Sequence, residues 1–295
     1  MLQIPEGWSV AFEHPAVAAC SDRALVLTSL DIPHEILHVD GLCRLVVPNE
    51  YLERARYEIW AYETENRAGP APPPPVPVTE QDGLPGILFY IGTIGLFAWL
   101  TGEAMFGRDW LAAGRIDGRL LRDGELWRTF TALTLHLDIR HLLGNMGFGA
   151  FFGFFAGRLA GSGVAWLTVV VSAAIANGIN TLLLDVSHRS IGASTAVFAA
   201  LGLLVGFVWR ARLMSQERWP YRFGPLIGGF ALLTFTGTGT ENTDIGAHLM
   251  GFICGFGGGY LLVRYAARLD DAVTQSRAGG AALALVLGSW MIALL

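Results

Sequence analysis

Four residues able to do chemistry stand at the heads of otherwise uncharged stretches in this 295-residue chain. Ser194 lies in Gly192-Ala193-Ser194-Thr195, at the start of residues 191–210, which carry no charge before Arg210. His141 and Asn145 open a second such stretch, and His248 lies near the start of a third. A serine hydroxyl is a poor nucleophile until a base takes its proton, and a histidine within about 3 Å can do so. The tetrahedral intermediate that follows needs hydrogen-bond donors for its oxyanion. Asn145 and His141, one turn apart on one helical face, can offer side-chain N–H groups. The backbone N–H of Ser194, at a helix N-terminus, has no intrahelical acceptor and can offer another. Polar groups inside apolar spans are costly and functional by default. The pattern predicts a serine hydrolase built within a bilayer, with Ser194 as nucleophile and His248 as base.

Each residue has a plainer reading when taken alone. A serine at a helix start is usually a cap. His248 alone reads as a packing histidine or a haem ligand. His136 and His141, five apart, face differently on a helix and make a weak metal pair, so no metal or other cofactor is expected. No Asp or Glu adjoins the set; Asp244, four residues before His248, is read as a helix-start residue rather than a third catalytic member. The chain contains no lysine, and all 20 of its cations are arginine. Schiff-base and Ser-Lys chemistries are thereby excluded. Cys20, Cys43 and Cys254 are scattered, which supports neither a disulfide framework nor a redox or metal motif.

The elements that must position these residues are apolar helices. The chain is 53% hydrophobic and 15% charged, with 37 glycines and a mean hydropathy of +0.46. This is the composition of a multi-helix membrane protein, and a net charge of -5 without basic blocks argues against nucleic acid. Helices are expected near 84–101, 141–157, 163–184, 191–209, 224–238, 245–263 and 279–295, several of them near the ~20 residues that cross the hydrocarbon. Ala247, Gly251, Gly255 and Gly259 recur every fourth residue and allow another helix to approach closely. Between the first two helices, residues 102–140 carry six arginines and are expected to fold at the interface.

Residues 1–67 read as a small soluble α-β-β-α unit. It has a helix over 16–30, a hairpin of 35–39 and 43–47 around Asp40-Gly41, and a second helix capped by Asn49. His14, His34 and His38 are read as surface histidines. Residues 68–83, with Pro70, Pro72 to Pro75 and Pro77, form an extended linker. The first residues lack the basic and apolar stretches of a signal peptide, so delivery is expected to rest on the first internal helix. With seven spans and a cytoplasmic N-terminus, Arg158, Arg210, Arg212, Arg218, Arg222, Arg264, Arg268 and Arg277 fall on the inner side. The six arginines of the long loop and Arg189 fall outside. The heads of the helices carrying His141, Ser194 and His248 then share the outer face.

Residues 84–295 resemble the rhomboid family of intramembrane serine proteases. The resemblance rests on Trp127-Arg128 with His136 eight residues later, on His141-Leu-Leu-Gly-Asn145, on Gly192-Ala193-Ser194-Thr195, and on Ala247-His248 with Gly251 and Gly255, in the family's order. It implies an all-α polytopic membrane fold of six core spans plus a seventh. It also implies a Ser194–His248 dyad without a carboxylate, and an oxyanion hole of Asn145, His141 and the Ser194 N–H. Phe198 would pack on the catalytic histidine, and Trp127-Arg128 would anchor the in-plane loop. Its substrates would be transmembrane segments of single-span or polytopic proteins within the lipid bilayer. The location it implies is a multi-pass protein of the bacterial inner membrane. A catalytically silent relative that binds membrane clients is the alternative. Two positions depart from the pattern: Thr195 replaces a glycine, and Gly157 stands where some members carry a glutamate.

Overall fold

The computed structural model describes residues 4–66, 76, 81–213, 223–229, 231, 234 and 244–295. The chain divides into two compact units, Met1–Pro72 and Pro73–Leu295.

In the first unit, a three-stranded antiparallel sheet of order β1-β3-β2 is built from β1 (Trp8–His14), β2 (Glu35–Val39) and β3 (Leu42–Pro48). Helices α1 (Val17–Ser29) and α2 (Leu52–Glu65) pack on it through Leu27, Ile59 and the fully buried Leu45 and Val47. The unit is therefore β-α-β-β-α, and β1 corrects the expected α-β-β-α order. No residue of β1 is fully buried, so it shows little alternation, and the residues of β3 that pair with it lie about 29 to 40 positions away. Asn49 does not cap α2 either. Its Oδ1 accepts from Ser9 Oγ at 2.6 Å, and it opens a 3-10 turn, Asn49–Tyr51, ahead of the helix. Cys20 and Cys43, distant in sequence, meet here: Cys20 Sγ donates to the Cys43 carbonyl at 3.1 Å. Burial pushes the Cys20 thiol up to about 12, which keeps it protonated and unreactive.

The second unit is helical. Its long helices are α3 (Leu84–Gly102), α7 (Ile139–Ala160), α8 (Ser162–Leu183), α9 (Ser194–Ala211), α11 (Ile245–Leu262) and α12 (Ala272–Leu294), with α10 described over 223–229. Among the described residues, five helices are long and apolar enough to cross a membrane: α3, α8, α9, α12 and the one from Ile245 to Arg268. The chain is thus an integral, multi-pass membrane protein. The remainder of the helix expected at 224–238 lies outside the described residues. Helix α12 begins seven residues before its expected start, because Asp271 caps it by accepting from Thr274 N and Oγ1 at 2.9 and 2.6 Å. Helix α9 begins three residues later than expected. Gly192 has φ +133°, a conformation no helix can contain, so the helix starts at Ser194.

The long connection is folded throughout. It runs through α4 (Trp110–Gly114), β4 (Ile116–Asp117), α5 (Gly118–Arg122) and α6 (Arg128–Thr131) into a 3-10 turn, Ala132–Thr134. Arg128 is 6% exposed and ties it together. Its Nε donates to Glu125 at 2.7 Å, and Nη1 donates to the carbonyls of Ala112 and Arg115 at 3.0 and 2.9 Å. Arg122 donates to the carbonyls of Thr181, Leu182 and Leu184, a cation placed on the C-terminal end of α8. The short strand β4 pairs antiparallel with β5 (Arg189–Ser190), immediately before the Ser194 turn.

Candidate active site

The contact between α9 and α11 sets the site. A Cβ on Gly251 would meet the Thr195 carbonyl, one on Gly255 the Ala199 carbonyl, and one on Gly259 the Leu203 carbonyl. From the other side, Cβ atoms on Gly202 and Gly206 would meet the carbonyls of Phe252 and Phe256. Successive partners advance by four on both helices, so the two run parallel in fixed register with backbones nearly touching. Ser194 and His248 are thereby held at the same end of one helix pair. The His248 ring lies 4.5 Å from that of Phe198, one turn below Ser194, and the histidine is 7% exposed.

Ser194 is not a cap. It is the first residue of α9, whose N-cap position is Ala193 with no side-chain capping bond. Ser194 is only partly buried, while Thr195 beside it is buried. The β-branched Thr195 fits because helical geometry suits it and its methyl packs beside Gly251.

Helix α7 brings His141 and Asn145 to this end of the bundle. Asp138 caps it by accepting from the His141 N–H at 2.9 Å, and that bond holds the Asp138 carboxyl below the usual carboxylate range. A Cβ on Gly192 would stand 2.7 Å from His141 Nε2 and 3.6 Å from Ser194 Oγ. The imidazole edge, the glycine backbone and the hydroxyl therefore share one small space that any side chain at 192 would fill. Asn145, one turn deeper on the same face of α7, is 7% exposed, and its Nδ2 has no partner among the described residues. A buried amide without an acceptor costs about 1–3 kcal/mol. The Tyr90 hydroxyl donates to the Asn145 carbonyl at 2.8 Å and fixes this part of α7 against α3.

His136 lies outside the helices. Its ring is 5.0 Å from that of His141, and its Nε2 accepts from Ala193 N at 3.5 Å. Burial first, then the neighbouring His141, push His136 down to about 4, so it is neutral near pH 7 and able to accept that N–H. Gly192 N donates to the Ala132 carbonyl at 2.9 Å. The turn before Ser194 thus hangs on the loop that Trp127 and Arg128 begin.

Several supporting contacts escaped the sequence reading. Asp244 caps α11 by accepting from Ala247 N at 3.0 Å, as its position suggested. It also accepts from Asn180 Nδ2 at 3.0 Å and lies 3.1 Å from His188 Nε2. Asn177 Nδ2 donates to the Thr129 carbonyl at 3.0 Å and braces the loop from α8. Two asparagines in an apolar helix were the available signal. Trp290 of α12 donates to Thr134 Oγ1 at 3.0 Å and stacks on Phe97. Gly157 packs on Gly83, where a Cβ would stand 2.8 Å from the Gly83 Cα, so no glutamate fits there.

Glycine-lined helices thus hold Ser194 and His248 at the same end of one helix pair. Residues 123–265, just under half of the chain, match the Rhomboid domain. It is similar to Rhomboid protease GluP of Bacillus subtilis (strain 168), 29% identical over 147 residues, covering 50% of this chain and 28% of that protein. It is also similar to Rhomboid-like protease 1 of Toxoplasma gondii, 28% identical over 172 residues, covering 57% of each. Rhomboid-like protease 2 of the same organism is 29% identical over 146 residues, covering 48% of this chain and 50% of that one. The match therefore spans between 28% and 57% of the length of these relatives.

Proposed function

We propose that this protein is an intramembrane serine endopeptidase that cleaves transmembrane segments of other membrane proteins. The observation that carries the reading is the parallel, glycine-set register of α9 and α11, which holds Ser194 and His248 at one end of a helix pair. In this reading His248 takes the proton of Ser194 Oγ as the oxygen attacks the scissile carbonyl. Asn145 Nδ2, His141 Nε2–H and the Ser194 N–H receive the oxyanion. His248 then returns its proton to the leaving amine. Water, activated by the same histidine, later releases the acyl group from Ser194.

The spans are taken as α3, α7, α8, α9, α10, α11 and α12, six plus one, with the N-terminal unit in the cytoplasm. Residues 1–67 are the accessory domain, 68–83 the linker and 84–295 the catalytic part. The names of the relatives, all rhomboid proteases, support the activity class. The test is cleavage of a single-span substrate in liposomes by wild type and Ser194→Ala. Loss of cleavage in a folded, inserted variant supports the proposal, whereas equal turnover removes the serine mechanism. A wild type that binds the substrate without cutting it makes the protein a client-binding relative.

A further inference from the structure

Helix α7 starts beside the candidate site and ends, 22 residues and about 33 Å later, at the opposite end of the bundle. At that far end lies a cavity of about 550 Å³ among α3, α8 and α12. It is amphipathic along its length. Asp82, Asp270 and Gln275 line its mouth, whereas Phe89, Trp166 and Leu283 line its deeper wall. On α12 the lining extends from Ala272 to Leu283, about 16 Å along the helix axis. A slot that is polar at the helix ends and apolar further in has the profile of a headgroup followed by an acyl chain.

The charge at the mouth narrows the occupant. Its ionised lining residues are two carboxylates, with no arginine among them, and the chain has no lysine. Asp82 Oδ1 accepts from Leu84 N at 2.9 Å, and Asp270 Oδ1 accepts from Gln81 Nε2 at 2.6 Å. Each bond occupies one carboxylate oxygen and leaves the second without a partner among the described residues. An anionic headgroup would be repelled here, while a primary ammonium could donate to both carboxylates. Trp166 adds a second indication. It is 9% exposed, and its indole N–H, beside Gly86 in the cavity wall, has no acceptor among the described residues. An ester carbonyl of a glycerolipid would reach that donor only by entering beside Gly86, because the nitrogen itself has almost no accessible surface.

We propose that this slot binds a phospholipid with a primary ammonium headgroup, its ammonium at Asp82 and Asp270 and an acyl chain between α3 and α12. The proposal does not depend on proteolytic activity.

The test places the full chain in phosphatidylcholine vesicles containing either phosphatidylethanolamine or phosphatidylglycerol, then counts the lipids retained after extraction by native mass spectrometry. Phosphatidylethanolamine is expected to be retained over phosphatidylglycerol by roughly two- to fivefold, the range for exposed charge pairs. The double variant Asp82→Asn, Asp270→Asn keeps both acceptor oxygens for Leu84 and Gln81 and should lose the preference while still holding lipid. Gly280→Leu has open space for its side chain within the cavity, so it should keep the wild-type melting temperature and lose the retained lipid. Equal retention of the two lipids by wild type overturns the proposal. So does undiminished phosphatidylethanolamine on Gly280→Leu, which would place the lipid elsewhere, or an unchanged preference in the double aspartate variant.

Discussion

At Ser194 the hydroxyl is freed from the usual duty of a serine at a helix start because Ala193 holds the N-cap position. Ser194→Ala and His248→Ala are each expected to abolish cleavage and leave the protein folded, as measured by turnover and melting on the same preparation. Asn145→Ala removes one of three donors and should lower turnover at saturating substrate with little change in apparent binding. The expected loss approaches the ~100-fold typical of an oxyanion donor. Asn145→Asp should be slower still, because it places negative charge where negative charge develops. A reduced melting temperature with unchanged turnover would make Asn145 a packing residue. His136 offers a separate test through pH. Its pKa lies near 4 in the folded protein and near 6.5 when unfolded, so the unfolded chain binds the extra proton between those values. Its contribution is fully present above about pH 6.5 and is lost as pH falls toward 4, an effect of order 3 kcal/mol. Thermal melting of His136→Gln, whose side chain can still accept the Ala193 N–H, should lack that decline.

At the scale of elements, the α9–α11 contact controls the site because backbone meets backbone there. Gly255→Ala places a Cβ against the Ala199 carbonyl and can be accommodated only if the helices separate. Overpacking of this kind costs about 1–3 kcal/mol and should also reduce turnover by moving Ser194 away from His248. Gly257→Ala, with nothing within 4 Å, is the matched control and should behave as wild type. Comparing turnover of the two variants separates loss of register from loss of glycine. Helix α12 acts on the site from a distance. Trp290 bonds Thr134, and Thr134 stands two residues before His136 in the loop that carries the Gly192 turn. Trp290→Phe keeps the ring stack and removes that bond, at about 1 kcal/mol, and should lower kcat more than it raises KM.

For the whole molecule, the two compact units predict separable roles. Deleting residues 1–67 should leave cleavage of a single-span substrate intact, with any change confined to rate, stability or choice of substrate. Complete loss of activity in a deleted protein that still inserts and melts normally would show that the N-terminal unit builds part of the site.

The residues with unusual chemistry and the apolar helices that carry them were legible in the sequence, because burial in lipid forbids charge over some twenty residues and makes each polar exception conspicuous. Ser194, His248, His141 and Asn145 stood out for that reason, and so did the glycines spaced by four on α11. Their partners were not legible. Which carbonyl each glycine meets, and hence the register of α9 on α11, depends on a contact between segments some 56 residues apart. Strand β1 exists only because β3 pairs with it, and Cys20 meets Cys43 only through that same packing. The bracing of the loop by Trp290 and Asn177, and the cap network joining Asp244 to Asn180, likewise arise where distant helices close on one another. Local sequence sets the length and polarity of each element. Tertiary packing decides which buried donor faces which acceptor, because that choice is made across space, between residues whose separation along the chain carries no period.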